Sequence, residues 1–82
     1  MLIIKLKEAK KNLLKYDYFA DSMKKSPGTI LVDKNTGSIK ILVVAERDID
    51  LGANYFGNKA VAELKQMHTS KNYQDEKILI WN

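Results

Sequence analysis

Residues 29–46, TILVDKNTGSIKILVVAE, constrain the fold of this chain more than any other stretch. Two β-rich runs, Ile30-Leu31-Val32 and residues 39–45, flank the polar segment Asp33-Lys34-Asn35-Thr36-Gly37. Asn and Thr favour the tight part of a turn, and Gly37 can take the positive φ that closes a three-to-five-residue hairpin loop. The segment predicts an antiparallel hairpin. With 82 residues in all, the chain is expected to form one domain spanning residues 1–82. A domain of this size buries only roughly 60% of its unfolded surface, so the hairpin needs a packed layer against it.

The helices are expected on either side of the hairpin. Across residues 8–25, Ala9, Leu13, Tyr16, Phe19, Ala20 and Met23 share one side of a 3.6-residue wheel, which predicts an amphipathic helix. Ser26-Pro27-Gly28 would end it. Further on, Phe56, Ala60, Val61, Leu64, Met67 and His68 form a second apolar stripe, with Asn54 as its expected N-cap. Residues 77–81, KILIW, read as a closing strand set off by the polar stretch 70–76.

The first residues decide the architecture. Leu2, Ile4 and Leu6 alternate with Ile3, Lys5 and Lys7, which predicts a strand, although Ile3, Leu6 and Leu13 would also extend the helical stripe backwards. With a strand there, the order is βαββαβ. This is an α+β, split-βαβ (ferredoxin-like) two-layer sandwich whose helices cover one face of a four-stranded antiparallel sheet. The first strand would then be central, between residues 39–45 and the closing strand. Without it, the order is αββαβ with three strands.

Composition narrows the chemistry. The absence of cysteine excludes disulfides, thiolate metal sites and a cysteine nucleophile, and one histidine is too few for the usual transition-metal cages. No cofactor is expected. Short, lysine-interrupted apolar runs do not predict a membrane span. The opening MLIIKLKEAKKN lacks the long apolar core of a signal peptide, so a cytoplasmic location is expected. Residues 1–41 hold nine lysines against four carboxylates, whereas residues 42–82 hold five cations against six. A basic half attracts polyanions, but thirteen of the fourteen cations are lysine, and arginine is the residue that reads bases bidentately.

Two surfaces stand out as candidate sites. If Ile39, Ile41, Val43 and Ala45 pack on the helices, then Lys40, Leu42 and Val44 face the other way. Ile3, Leu31 and one alternating pair from residues 78–81 would join them. An open sheet face that reads apolar points to a partner, here a second copy of the chain or another protein. The second surface is the basic face of the helix expected over residues 8–25. There Lys7, Lys11, Leu14, Tyr18 and Lys25 could hold a phosphate backbone through weak, sequence-blind contacts. RNA stacking on the sheet is disfavoured, because the strands read as central, LIIKL and IKILVV, carry no aromatic residue.

The remaining motifs read as structural. Asp48, Asp50 and Gly52 echo a calcium loop, but Lys59 stands where the bidentate Glu belongs and the glycine falls one position early. Acids there fit a helix start better. His68 has no nucleophile or carboxylate at a spacing that implies catalysis. The expectation is a non-enzymatic interaction or regulatory module that self-associates through its sheet, with lysine-mediated nucleic-acid binding as the alternative.

Overall fold

A computed structural model of the chain describes residues 1–20 and 26–80. The elements are β1 (Leu2–Lys10), β2 (Leu13–Phe19), β3 (Gly28–Asp33), β4 (Ile39–Val43), α1 (Glu46–Leu51), α2 (Tyr55–Ser70) and β5 (Glu76–Leu79). They form an α+β domain with a single five-stranded sheet in the order β4-β3-β2-β1-β5. Every neighbouring pair is antiparallel. The first four strands run as a meander. The chain then crosses the sheet through α2 and adds β5 outside β1.

The hairpin of residues 29–46 forms as expected, with Asp33 Oδ1 accepting the Asn35 and Thr36 amides and Gly37 at φ 77°. Residues 2–6 are a strand, α2 follows the second apolar stripe, and the closing strand is present as β5.

The helix expected over residues 8–25 is the main correction. β1 continues to Lys10, turns through Lys11 and Asn12, and returns as β2. The alternation of Leu14, Tyr16, Tyr18 and Ala20 is decisive, because all four are buried on one face while Leu13 is exposed. Aromatic and aliphatic side chains at period two fit a pleated, half-buried surface better than a helix. The order is therefore ββββααβ with five strands, in place of βαββαβ with four or αββαβ with three. β1 lies between β2 and β5, and the strand beginning at Ile39 is the far edge rather than its neighbour. Met23, Lys25 and Trp81 lie outside the described residues.

The core sits between α2 and one sheet face. Leu2, Ile4, Leu14, Tyr16, Tyr18, Ile30 and Val32 from the sheet meet Phe56, Ala60, Leu64 and Met67 from the helix. Tyr18 is fully buried in this packing. Its ring lies across Gly28, its β3 partner, so closely that a Cβ there would stand 2.1 Å from Tyr18 Cε1. Only glycine fits under the ring.

Asp48, 1% exposed, ties α1 to α2. Its Oδ1 accepts the Phe56 amide at 2.9 Å and its Oδ2 accepts the Gly57 amide at 2.8 Å. These amides belong to the first turn of α2, whose donors an N-cap side chain ordinarily satisfies. Asn54 occupies the N-cap position but makes no such bond with its side chain. The Tyr18 hydroxyl accepts the Ala45 amide at 2.9 Å and donates to Asp48 Oδ2 at 3.4 Å. Burial pushes the Tyr18 phenol up, opposed by the Ala45 amide and reinforced by the Asp48 charge.

Candidate interaction surface

The sheet face opposite α2 carries side chains in cross-strand rows set by the register. One row runs Phe19–Ile3–Ile78 across β2, β1 and β5. It is apolar throughout. Ile80, 78% exposed, and Met1 prolong it beyond the strand ends. The next row is Thr29–Asp17–Lys5–Glu76, across β3, β2, β1 and β5. It is a polar ladder in which Thr29 Oγ1 donates to Asp17 Oδ1 at 3.0 Å and Lys5 stands between two carboxylates in the register. Lys5 Nζ also sits 5.9 Å from the centroid of the Phe19 ring. The third row, Lys40–Leu31–Lys15–Glu8, is mixed, with an exposed Lys15–Glu8 ion pair at 4.0 Å. Such a pair contributes little to stability.

The face expected to be aliphatic throughout is therefore divided. Ile3, Leu31, Lys40 and Leu42 lie on the open side as anticipated, but only Ile3 belongs to a continuous apolar row. A bulge explains Val44. Ile30 pairs with Ile41 and Thr29 with Val43, so Leu42 is the extra residue of β4. Leu42 and Val43 are about equally exposed, and Val44 falls beyond the strand. Alternation read from sequence places Val44 outward and Val43 inward; the bulge shifts the pattern by one.

The basic helix face does not exist as a unit. Leu14 and Tyr18 are buried against α2, while Lys7 and Lys11 lie at the bulge and turn of the β1–β2 hairpin. The register skips from Leu6 to Glu8, which makes Lys7 the extra residue there. Lys11 occupies the turn at φ 55°. The Lys34 amide donates to the Asn12 carbonyl at 2.8 Å, so the β1–β2 and β3–β4 turns lie side by side. This gathers Lys10, Lys11 and Lys34 at one end of the sheet. Spacing along a helix could not have shown that grouping.

Phe19 belongs to the open face but was hidden, because residues 13–19 read equally well at helical spacing; Lys5 shares the Ile3 side of β1, as the alternation of residues 2–7 implies, and was not singled out as a site residue. Ile78 and Ile80 were accessible through their alternation in KILIW. The central strands do carry aromatics, Tyr16 and Tyr18, but both face the core and only Phe19 faces out.

His68 lies near the C-terminus of α2, where its Nδ1 shares a hydrogen bond with the Tyr73 hydroxyl. Its Nε2 fills the space beside Gly37, where a Cβ would stand 2.8 Å away. Lys34 Nζ lies 5.6 Å from the centroid of the Tyr73 ring. These contacts fasten the β3–β4 turn to the end of α2. Among the described residues no cluster of three or more metal-ligating side chains forms, and no helix is long and apolar enough to cross a membrane.

No family model, curated protein or solved structure matches the chain.

Proposed function

We propose that this domain is a non-enzymatic protein-interaction module that self-associates through the Phe19–Ile3–Ile78 row of its open sheet face. That row carries the reading: three apolar side chains in cross-strand register, prolonged by a largely exposed Ile80, run to the outer edge of the sheet. Open faces of antiparallel sheets are ordinarily polar, and an apolar strip at an edge favours a partner. The buried hydroxyls and carboxylate, Tyr16, Tyr18 and Asp48, are engaged in holding elements together, which supports a binding role over a catalytic one.

Light scattering across a micromolar dilution series tests the reading. The wild type should approach the mass of a dimer, Ile78→Lys should give a folded monomer, and Leu42→Lys should leave the dimer intact because the polar ladder separates it from the row. A wild type that stays monomeric at the highest concentration rejects self-association.

The cluster of Lys10, Lys11 and Lys34 supports a second reading, weak binding of nucleic acid through phosphate contacts. With three lysines engaged on duplex DNA, the log–log salt slope should be no steeper than about −3. Salt-resistant, sequence-selective binding would displace the self-association reading.

A further inference from the structure

We infer that two copies of the chain join edge to edge through β5, antiparallel and about a two-fold axis that sets Ile78 opposite the partner's Ile78. The inference rests on the self-association reading and specifies its geometry.

The Leu6 amide donates to the Asp75 carbonyl at 2.7 Å, and β1 and β5 pair Lys5 with Glu76, Ile4 with Lys77 and Ile3 with Ile78. In an antiparallel ladder, bonded and non-bonded pairs alternate. Positions 75, 77 and 79 therefore turn their backbone groups toward β1, and Glu76, Ile78 and Ile80 turn theirs outward. Among the described residues β5 is the end strand of the sheet, and no strand lies beyond this outward ladder. An antiparallel copy of the same segment satisfies it reciprocally. Ile78 bonds the partner's Ile78, and Glu76 and Ile80 exchange bonds with the partner's Ile80 and Glu76.

The side chains agree with this register. The Phe19–Ile3–Ile78 row meets its own image and becomes one apolar strip across both copies. Glu76 falls beside the partner's Ile80, and Lys77 beside the partner's Leu79, so no like charges oppose each other directly. Face-to-face stacking of two sheets would instead bury Lys5, Asp17 and Glu76, at a large desolvation cost.

The two edges of the sheet differ in protection. Each edge strand carries a lysine, but β4 also has the Leu42–Val43 bulge, a feature that discourages strand addition. β5 pairs with β1 in unbroken register. A two-fold dimer uses the same patch on both copies, and the unbulged edge is the one suited to it.

Two variants separate the geometry from self-association itself. Proline at an outward-facing edge position removes a free amide and leaves the internal ladder whole. Glu76→Pro also spares the apolar row. It should weaken the dimer about tenfold or more, through two lost hydrogen bonds per dimer, while circular dichroism stays native. The chain has no cysteine, so Ile78→Cys introduces a unique thiol. Opposed Cα atoms in a bonded antiparallel pair lie ~5.5 Å apart, within disulfide range. Mild oxidation should cross-link Ile78→Cys rapidly, with Leu42→Cys and Val43→Cys far slower.

A wild-type dimer in which Glu76→Pro binds as tightly as wild type, or Ile78→Cys cross-links no faster than the β4 variants, overturns the edge geometry and leaves self-association standing. A wild-type monomer overturns both. If Glu76→Pro fails to fold, the cross-linking comparison decides alone.

Discussion

Asp48 and Gly28 stabilise their surroundings for opposite reasons. Asp48 supplies from α1 the acceptors that the first turn of α2 needs, and it does so while 1% exposed. Asp48→Ala would leave the Phe56 and Gly57 amides without their acceptor, and a loss of about 2–3 kcal/mol in denaturant unfolding is the expected result. Asp48→Asn keeps one acceptor oxygen and should lose less. Gly28 contributes by having no side chain. The Tyr18 ring over it is held by bonds at Ala45 and Asp48, so it cannot swing aside for a Cβ that would arrive at 2.1 Å. Gly28→Ala should therefore be severely destabilising in the wild type and far cheaper in a Tyr18→Ala background. A double-mutant cycle in chemical denaturation should show strong non-additivity between the two sites. Additive costs would show that the ring has room to move.

At the scale of elements, legibility followed whether one periodicity excluded the other. The β3–β4 hairpin, α2 and β5 were readable because turn residues bound the first, a long 3.6-residue stripe marks the second, and alternation marks the third. Residues 8–20 satisfy both periods. Ala9, Leu13, Tyr16 and Phe19 make a helical stripe, and Leu14, Tyr16, Tyr18 and Ala20 make a strand face; burial chose the second. The turn between β1 and β2 gave no warning, since it uses Lys11 at φ 55° in place of the glycine that such a position favours. Lys11→Gly should therefore raise stability by about 0.5–1 kcal/mol, measurable as a higher urea midpoint with unchanged slope. Half of the open face was readable for the same reason as the elements that carry it. Ile3 and Ile78 sit on strands with clear alternation, whereas Phe19 was hidden in the mistaken helix and Val43 was displaced by a bulge that no sequence pattern announces.

Across the whole molecule, the connection from α2 to β5 must be held down on the sheet for the last strand to find its edge. Tyr16 does this from the middle of β2, its hydroxyl donating to the Gln74 carbonyl at 2.9 Å while the Leu6 amide takes the Asp75 carbonyl. Burial, with smaller contributions from Asp75 and Tyr73, pushes the Tyr16 phenol up to about 12 from an ordinary 10.0. The consequence for stability has a definite sign. Below pH 10.0 the phenol is neutral in both the folded and the unfolded chain, and its contribution is fully present. Above that, the unfolded chain releases the proton while the folded chain retains it, so unfolding is favoured increasingly until about pH 12. The raised Tyr18 and Tyr73 phenols act in the same direction. Unfolding midpoints should thus fall through this alkaline window. Tyr16→Phe should cost about 1 kcal/mol at neutral pH through the lost bond to Gln74, yet make the alkaline decline shallower. Parallel declines in the variant and the wild type would show that the Tyr16 phenol does not carry the alkaline loss, and an unchanged stability at neutral pH would show that its bond to Gln74 does not hold the crossover down.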